Sequence, residues 1–252
     1  MNTISSPRTT SPRDIVEAVT SDPVLPAGDD ERFVGFGIMG LPFRSGHYLA
    51  YRQFPATTFA PGYLSVWHRD PAGDWTFYAT TPGPQSCARY FSSATENDPV
   101  RCDIDVVWTG PWSLSIALPG LLDWTVDIAP TAATRAMSAV GVLLPEAAWT
   151  SRTTLGMISR VAGLALRTGA IRLAGTAANG QRYMVAPRRV WAVAGSRATL
   201  RGEDLGPVGP LATQASLGDF RLPQRGVCVA GTGHFENFDA DRHSAVGRTS
   251  FR

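Results

Sequence analysis

The chain has 252 residues, 44% hydrophobic and 17% charged, with a formal net charge of +2. That length suffices for a sizeable core without a disulfide or metal staple. No block of basic residues marks a nucleic-acid surface, and no partner of that kind is expected. All 23 basic residues are arginine. The missing lysine excludes Schiff-base chemistry, a pyridoxal-phosphate attachment and a Walker-A loop.

The first stretch, "MNTISSPRTTSPRD", lacks the apolar core of a signal peptide, so a cytoplasmic protein is expected. Residues 1–30 are rich in Ser, Thr, Pro and Asp and read as poorly ordered. "SPRDIVEAV" offers a short helix there, with Ser11 as N-cap, Pro12 in the first turn and Asp14 at the positive end.

"FVGFGIMGLPF" (33–43) has the G-x-G-x-x-G spacing at Gly35, Gly37 and Gly40. Two readings compete. A dinucleotide turn needs an apolar lead-in strand, a helix at the third glycine and an acid about 20 residues on. Here "DDERFV" leads in, Pro42 and Gly46 sit where the helix would begin, and the first acid after the motif is Asp70. The favoured reading is a bending, glycine-rich strand.

"GYLSVWHRDPAGDWTFYATT" reads as a hairpin turning at Pro71-Ala72-Gly73. Its register sets Trp67 opposite Phe77 and Ser65 opposite Ala79. On the other face, His68 lies opposite Thr76 and Val66 opposite Tyr78.

"RCDIDVVWTGPWSLSIALPGLLDWTVDI" (101–128) alternates apolar and polar residues over three strands, connected at Thr109-Gly110-Pro111 and Pro119-Gly120-Leu121. Trp108, Trp112 and Trp124 fall on the apolar face; Asp103, Asp105, Asp123 and Asp127 fall on the polar one. The pattern predicts an antiparallel meander with one buried face. Residues 130–169 turn alanine-rich with helical spacing, predicting helices near 131–140 and 145–168. Strands resume with a hairpin on Asn179-Gly180, continue through "RRVWAVA" and "RATLRG", and end at "VCVAGTGHFENF". The polar tail, 239–252, is expected to fray.

The expected architecture is therefore mainly β: an antiparallel barrel or strongly curved meander over 31–238, with a helical insert near 131–168. No metal spacing surrounds His47, His68, His234 or His243, and Cys87, Cys102 and Cys228 form no C-x-x-C pair, so neither a metal nor a cofactor is expected. A barrel lined by aromatic residues suits a large apolar ligand. Trp67, Phe77, Tyr90, Trp108, Trp112 and Trp124 are the candidate binding residues. His68, Tyr78, His234 and Glu236 are the candidate acid–base groups.

Two resemblances accompany this reading. The meanders "DPAGDW", "TGPW" and "AANGQR" with an apolar inner face resemble the calycin, or lipocalin-like, group. That resemblance implies an apolar ligand, and related carotenoid hydratase and Diels–Alderase-like barrels imply cofactor-independent cyclisation, isomerisation or hydration. A non-catalytic carrier is the alternative. "FGIMGLPF" resembles the opening of the 3-hydroxyisobutyrate dehydrogenase family, which implies an NAD(P)-dependent oxidoreductase. That family relies on a lysine, and this chain has none.

Overall fold

The computed structural model describes residues 11–245. In chain order it has α1 (Pro12–Ser21), β1 (Glu31–Pro42), β2 (Tyr48–Thr57), β3 (Tyr63–Arg69), β4 (Trp75–Ala79), α2 (Ala88–Phe91), β5 (Val100–Arg101), β6 (Asp105–Gly110), β7 (Ser113–Leu118) and β8 (Leu122–Ala129). The helical insert follows as α3 (Ala132–Leu143), α4 (Glu146–Trp149) and α5 (Arg152–Ala165). Then come β9 (Ala174–Thr176), β10 (Arg182–Leu200), β11 (Glu203–Asp204), β12 (Ser216–Leu217), β13 (Phe220–Arg221) and β14 (Val227–Phe235).

The protein is mainly β, and one strongly curled mixed sheet forms a half-barrel. Its strand order is β5-β4-β3-β2-β1-β14-β10-β8-β7-β6, with β9 and β11 also paired to β10. The end strands β5 and β6 do not pair with each other, so the curl stays open. All named pairings in this sheet are antiparallel except β4 with β5.

The degree of curl follows from one contact. β6 lies five places from β1 in strand order, about 24 Å away in a flat sheet. Yet the rings of Phe36 on β1 and Trp108 on β6 are 5.8 Å apart. The sheet has rolled one face onto itself. That inner face holds Phe36, Ile38, Leu49, Tyr51, Val66, Ile116, Trp124, Trp191 and Cys228 in one buried cluster.

Both hairpin and meander registers follow the alternation. Trp67 pairs with Phe77, Ser65 with Ala79, His68 with Thr76 and Val66 with Tyr78. Leu114 pairs with Val126 and Ile116 with Trp124. A one-residue slip would expose the whole apolar set, which fixes the register. The first meander turn is tighter than the expected three residues: Gly110 pairs with Ser113 across a bulge. "RRVWAVA" and "RATLRG" join into one strand of 19 residues, β10, with bulges between Pro187 and Arg189 and between Val193 and Gly195. Bulges let a long strand bend with the curl.

One expectation needs correction. The long helix predicted over 145–168 is two helices, because Ser151 accepts a hydrogen bond from the Thr154 amide and starts α5 afresh. The short helix expected at "SPRDIVEAV" is α1. Ser11 and Asp14 form a capping box, and Val16 packs into the inner cluster. At the chain's end the buried His243 ring accepts from the Asp239 amide at 2.9 Å and meets Glu236 at 3.0 Å. Residues 1–10 and 246–252 lie outside the described residues.

Gly35, Gly37 and Gly40 all lie within β1, between antiparallel β2 and β14. There is no strand–turn–helix here and no helix N-terminus to receive a pyrophosphate. The dinucleotide reading therefore fails on geometry. No described helix is long and apolar enough to cross a membrane.

Candidate functional site

The outer face of the curl carries a second aromatic cluster, with Tyr48, Tyr63, Trp67, Phe77, Tyr90, Phe91, Tyr183 and Phe235. Between this face and the elements that cover it lies a cavity of about 170 Å³. The sheet contributes Phe33, Gly35, Met39, Arg52, Phe54, Tyr63, Trp67, Tyr183, Val185, Val227, Val229 and Phe235. The cover contributes Cys87, Tyr90 and Phe91 from around α2, Met137 from α3, Ile158 and Ala162 from α5, and Phe220 from β13. A dry apolar cavity of roughly 150 Å³ in another protein holds one benzene, so the chamber is on the scale of an aromatic ring.

The glycines of β1 make this site possible. A Cβ on Gly35 would stand 2.7 Å from a Phe54 ring carbon and 2.2 Å from the Gln53 carbonyl. A Cβ on Gly37 would stand 2.4 Å from the Tyr51 carbonyl and 3.0 Å from Cδ of Arg52. Gly37 is the cross-strand partner of Arg52. Gly35 lines the cavity, and both glycines let the β2 backbone and the stems of Phe54 and Arg52 approach β1 closely.

Arg52 is the unusual group. It is 4% exposed, lies over the Trp67 ring at 4.7 Å, and lines the cavity. Its Nη1 donates to the carbonyls of Ile38 and Tyr51, and its Nη2 to that of Met39 at 3.0 Å. No described Asp or Glu forms an ion pair with it. Burial pulls its pKa down; the groups that oppose this are Cys87, Tyr48 and Tyr63. None of these is an anion at neutral pH. Burial pushes the Cys87 thiol and the Tyr48 and Tyr63 phenols up, and the Tyr63 hydroxyl lies 3.4 Å from the Cys87 sulfur. A guanidinium is charged at any working pH, so its positive charge stands uncompensated in an apolar wall.

Two further polar atoms here lack partners. Three buried side-chain polar atoms among the described residues have no hydrogen bond, and Trp67 Nε1 and Thr168 Oγ1, two of them, belong to residues lining this cavity. The Trp67 indole has the Cys87 thiol as its hydrogen-bonding neighbour, and a thiol is a weak acceptor. Unsatisfied buried groups are uncommon in native structures and point to a missing ligand or water.

One wall is braced by a buried ion pair. Arg89 donates from two nitrogens to the Glu31 carboxylate at 2.6 and 3.0 Å, and the Tyr90 hydroxyl donates to it at 2.7 Å. Burial pushes Glu31 up, but the bonds from Arg89, Tyr90 and Gln181 outweigh it and hold the carboxyl below its usual range. Tyr90 then stacks on Phe235 at 3.6 Å. Glu31 does not itself line the cavity, and no Asp, Glu or His does among the described residues.

Trp67 and Tyr90, expected to bind ligand, line the cavity. Phe77 sits behind Trp67, edge to face at 5.0 Å, and supports it. Trp108 and Trp124 lie on the inner face, on the other side of the sheet; Trp124 is fully buried and donates to Ser196. Trp112 packs on the same inner cluster and borders a separate hollow with Ile15, Ser138 and Arg189. The inner face is thus closely packed around Trp108 and Trp124, with a hollow at its Trp112 end.

The four acid–base candidates do not converge. His68 and Tyr78 belong to the inner face. His68 Nε2 lies 2.9 Å from His47 Nδ1, and burial with the neighbouring His47 lowers its pKa to about 4. Burial raises the Tyr78 phenol. His234 lies 3.8 Å from Asp30, and its pKa is lowered mainly by burial. Glu236 is held by Arg182 and His243. None of the four lines the cavity.

Sequence reasoning missed Arg52. The signal was present: in "YLAYRQF", Tyr48, Ala50, Arg52 and Phe54 share one face, and a lone cation interrupts it.

No family model and no curated protein matches the chain. Among solved structures it is similar to the acetoacetate decarboxylase of Legionella pneumophila subsp. pneumophila str. Philadelphia 1. The match covers 96% of this chain and 98% of that one, at 11% identity and a TM-score of 0.39. At that level the two share a broad outline, and no residue role passes from one to the other.

Proposed function

We propose that this protein binds an apolar small molecule in the cavity between the outer face of the curled sheet and the helical insert. The observation that carries this reading is the cavity itself: about 170 Å³, walled by aromatic and aliphatic side chains drawn from both sheet and helices. Ligand sites are typically apolar chambers with a few polar groups that fix orientation. Burial of a ring-sized body, and not of a large lipid, suits the size.

Binding without acid–base turnover is favoured, because the lining holds no carboxylate or imidazole to move a proton. A second reading, cofactor-independent cyclisation, isomerisation or hydration, draws support from Arg52. A preorganised buried cation stabilises negative charge that develops in a transition state. Chemistry through a lysine amine is closed to this chain.

The test is titration with a neutral ring compound, 3-phenylpropan-1-ol, followed by calorimetry. Saturable binding to the native protein is expected, and its loss in Ala162→Phe, which fills the chamber from α5. No saturable binding, or equal binding to the filled variant, would sink the reading.

A further inference from the structure

We infer that Arg52 is an anion-binding subsite, and that the molecule taken up by the cavity is a small aryl or alkyl carboxylate whose charged head meets this guanidinium. The inference rests on the binding reading above and narrows it to one ligand class.

Three observations carry it. The first is charge. Arg52 is 4% exposed, and no described carboxylate pairs with it. Buried charges are normally paired, because an isolated one is strongly disfavoured in an apolar medium. Its neighbours Cys87, Tyr48 and Tyr63 are neutral, so the chain itself supplies no counter-ion.

The second is valence. A guanidinium has five N–H groups. Three of them bond the carbonyls of Ile38, Tyr51 and Met39, which fixes the plane of the group. Two donors remain for a ligand on a side chain that is already immobilised. Immobilisation in advance removes much of the entropy cost of capturing an anion, and arginine meets carboxylates with paired, charge-assisted bonds.

The third is the unsatisfied Trp67 Nε1. This indole underlies Arg52, lines the same cavity and has beside it only the weakly accepting Cys87 thiol. The groups at this end of the chamber are thus donors short of acceptors, and a carboxylate is an acceptor only. The remaining walls are apolar, which sets the ligand body. Gly37 lets the Arg52 stem lie close against β1: a Cβ there would stand 3.0 Å from its Cδ.

Two other arginines line the cavity and are competing sources of charge. Arg172 is already paired with Asp219, and Arg221 is exposed. Both are exposed to water, where a carboxylate gains little.

The experiment compares three ligands of one shape on the full chain: 3-phenylpropanoate, 3-phenylpropanamide and 3-phenylpropan-1-ol, by calorimetry at pH 7. The carboxylate is expected to bind roughly 10- to 100-fold more tightly than both neutral compounds. In Arg52→Gln that preference is expected to vanish. Equal affinities in the native protein would overturn the anion subsite and leave the cavity reading standing. Failure of all three to bind would overturn both. A carboxylate preference that survives Arg52→Gln would overturn the assignment to Arg52 and pass it to Arg172 or Arg221. The native-protein comparison decides the ligand class even if the variant does not fold.

Discussion

The two faces of one sheet do different work. The inner face is rolled onto itself and filled: Phe36 meets Trp108 at 5.8 Å, and Trp124 is fully buried. Its polar contacts are closed within the protein, as in the bond from Trp124 Nε1 to Ser196. The outer face is covered by α2, α3, α5 and β13 but not filled; it keeps a cavity, an unpaired guanidinium and an unsatisfied indole N–H. The lesson is that tryptophan content does not locate a site. Open valence does: the chamber lies where donors lack acceptors.

The largest expected effect breaks one face without the other. Trp124→Ala should cost about 3–5 kcal/mol of folding stability, by lost burial and the cavity left behind. Denaturant unfolding would show it. Affinity for 3-phenylpropan-1-ol, measured where the variant remains folded, should be unchanged. Coupled loss of stability and affinity would mean that the two faces are not separate.

A smaller effect sharpens the same comparison through pH. His68 has a folded pKa of about 4, below its ordinary value of 6.5. Between these two values the unfolded chain binds a proton that the folded one refuses. Its contribution to stability is therefore present above pH 6.5 and is lost as pH falls towards 4. The slope from this one group is at most about 1.4 kcal/mol per pH unit. His234, also lowered by burial, acts in the same direction. In His68→Gln the melting temperature should fall less steeply between pH 6.5 and 5 than in the native protein. An unchanged slope would contradict the buried, neutral state of His68.

Much of the fold was legible in the sequence. Period-2 alternation put Trp124 on the apolar face, the turn at Pro71-Ala72-Gly73 set Trp67 opposite Phe77, and the capping residues of α1 named its start. What alternation could not supply was which face would curl inward. It sorts residues into two sets, and Trp67 and His68 were already on opposite sides of the hairpin. Choosing between the sets depends on what packs on them from far along the chain. Ile158 and Ala162 of α5 reach the wall that β1 and β14 begin, and local pattern says nothing of that contact. For the same reason one list of candidates mixed Trp67 with Trp108. The helix break at Ser151 was missed because a single serine capping α5 leaves the apolar spacing nearly intact. The glycines of β1 were legible as strand glycines, but their purpose became clear only once Arg52 lay across them.

The most direct test of the account is a crystal structure of the protein grown with 3-phenylpropanoate. The ring should lie between Val229 of β14 and Ala162 of α5, with the carboxylate at Arg52. Density for the ligand inside the curl, among Ile116, Trp108 and Trp124, would contradict it.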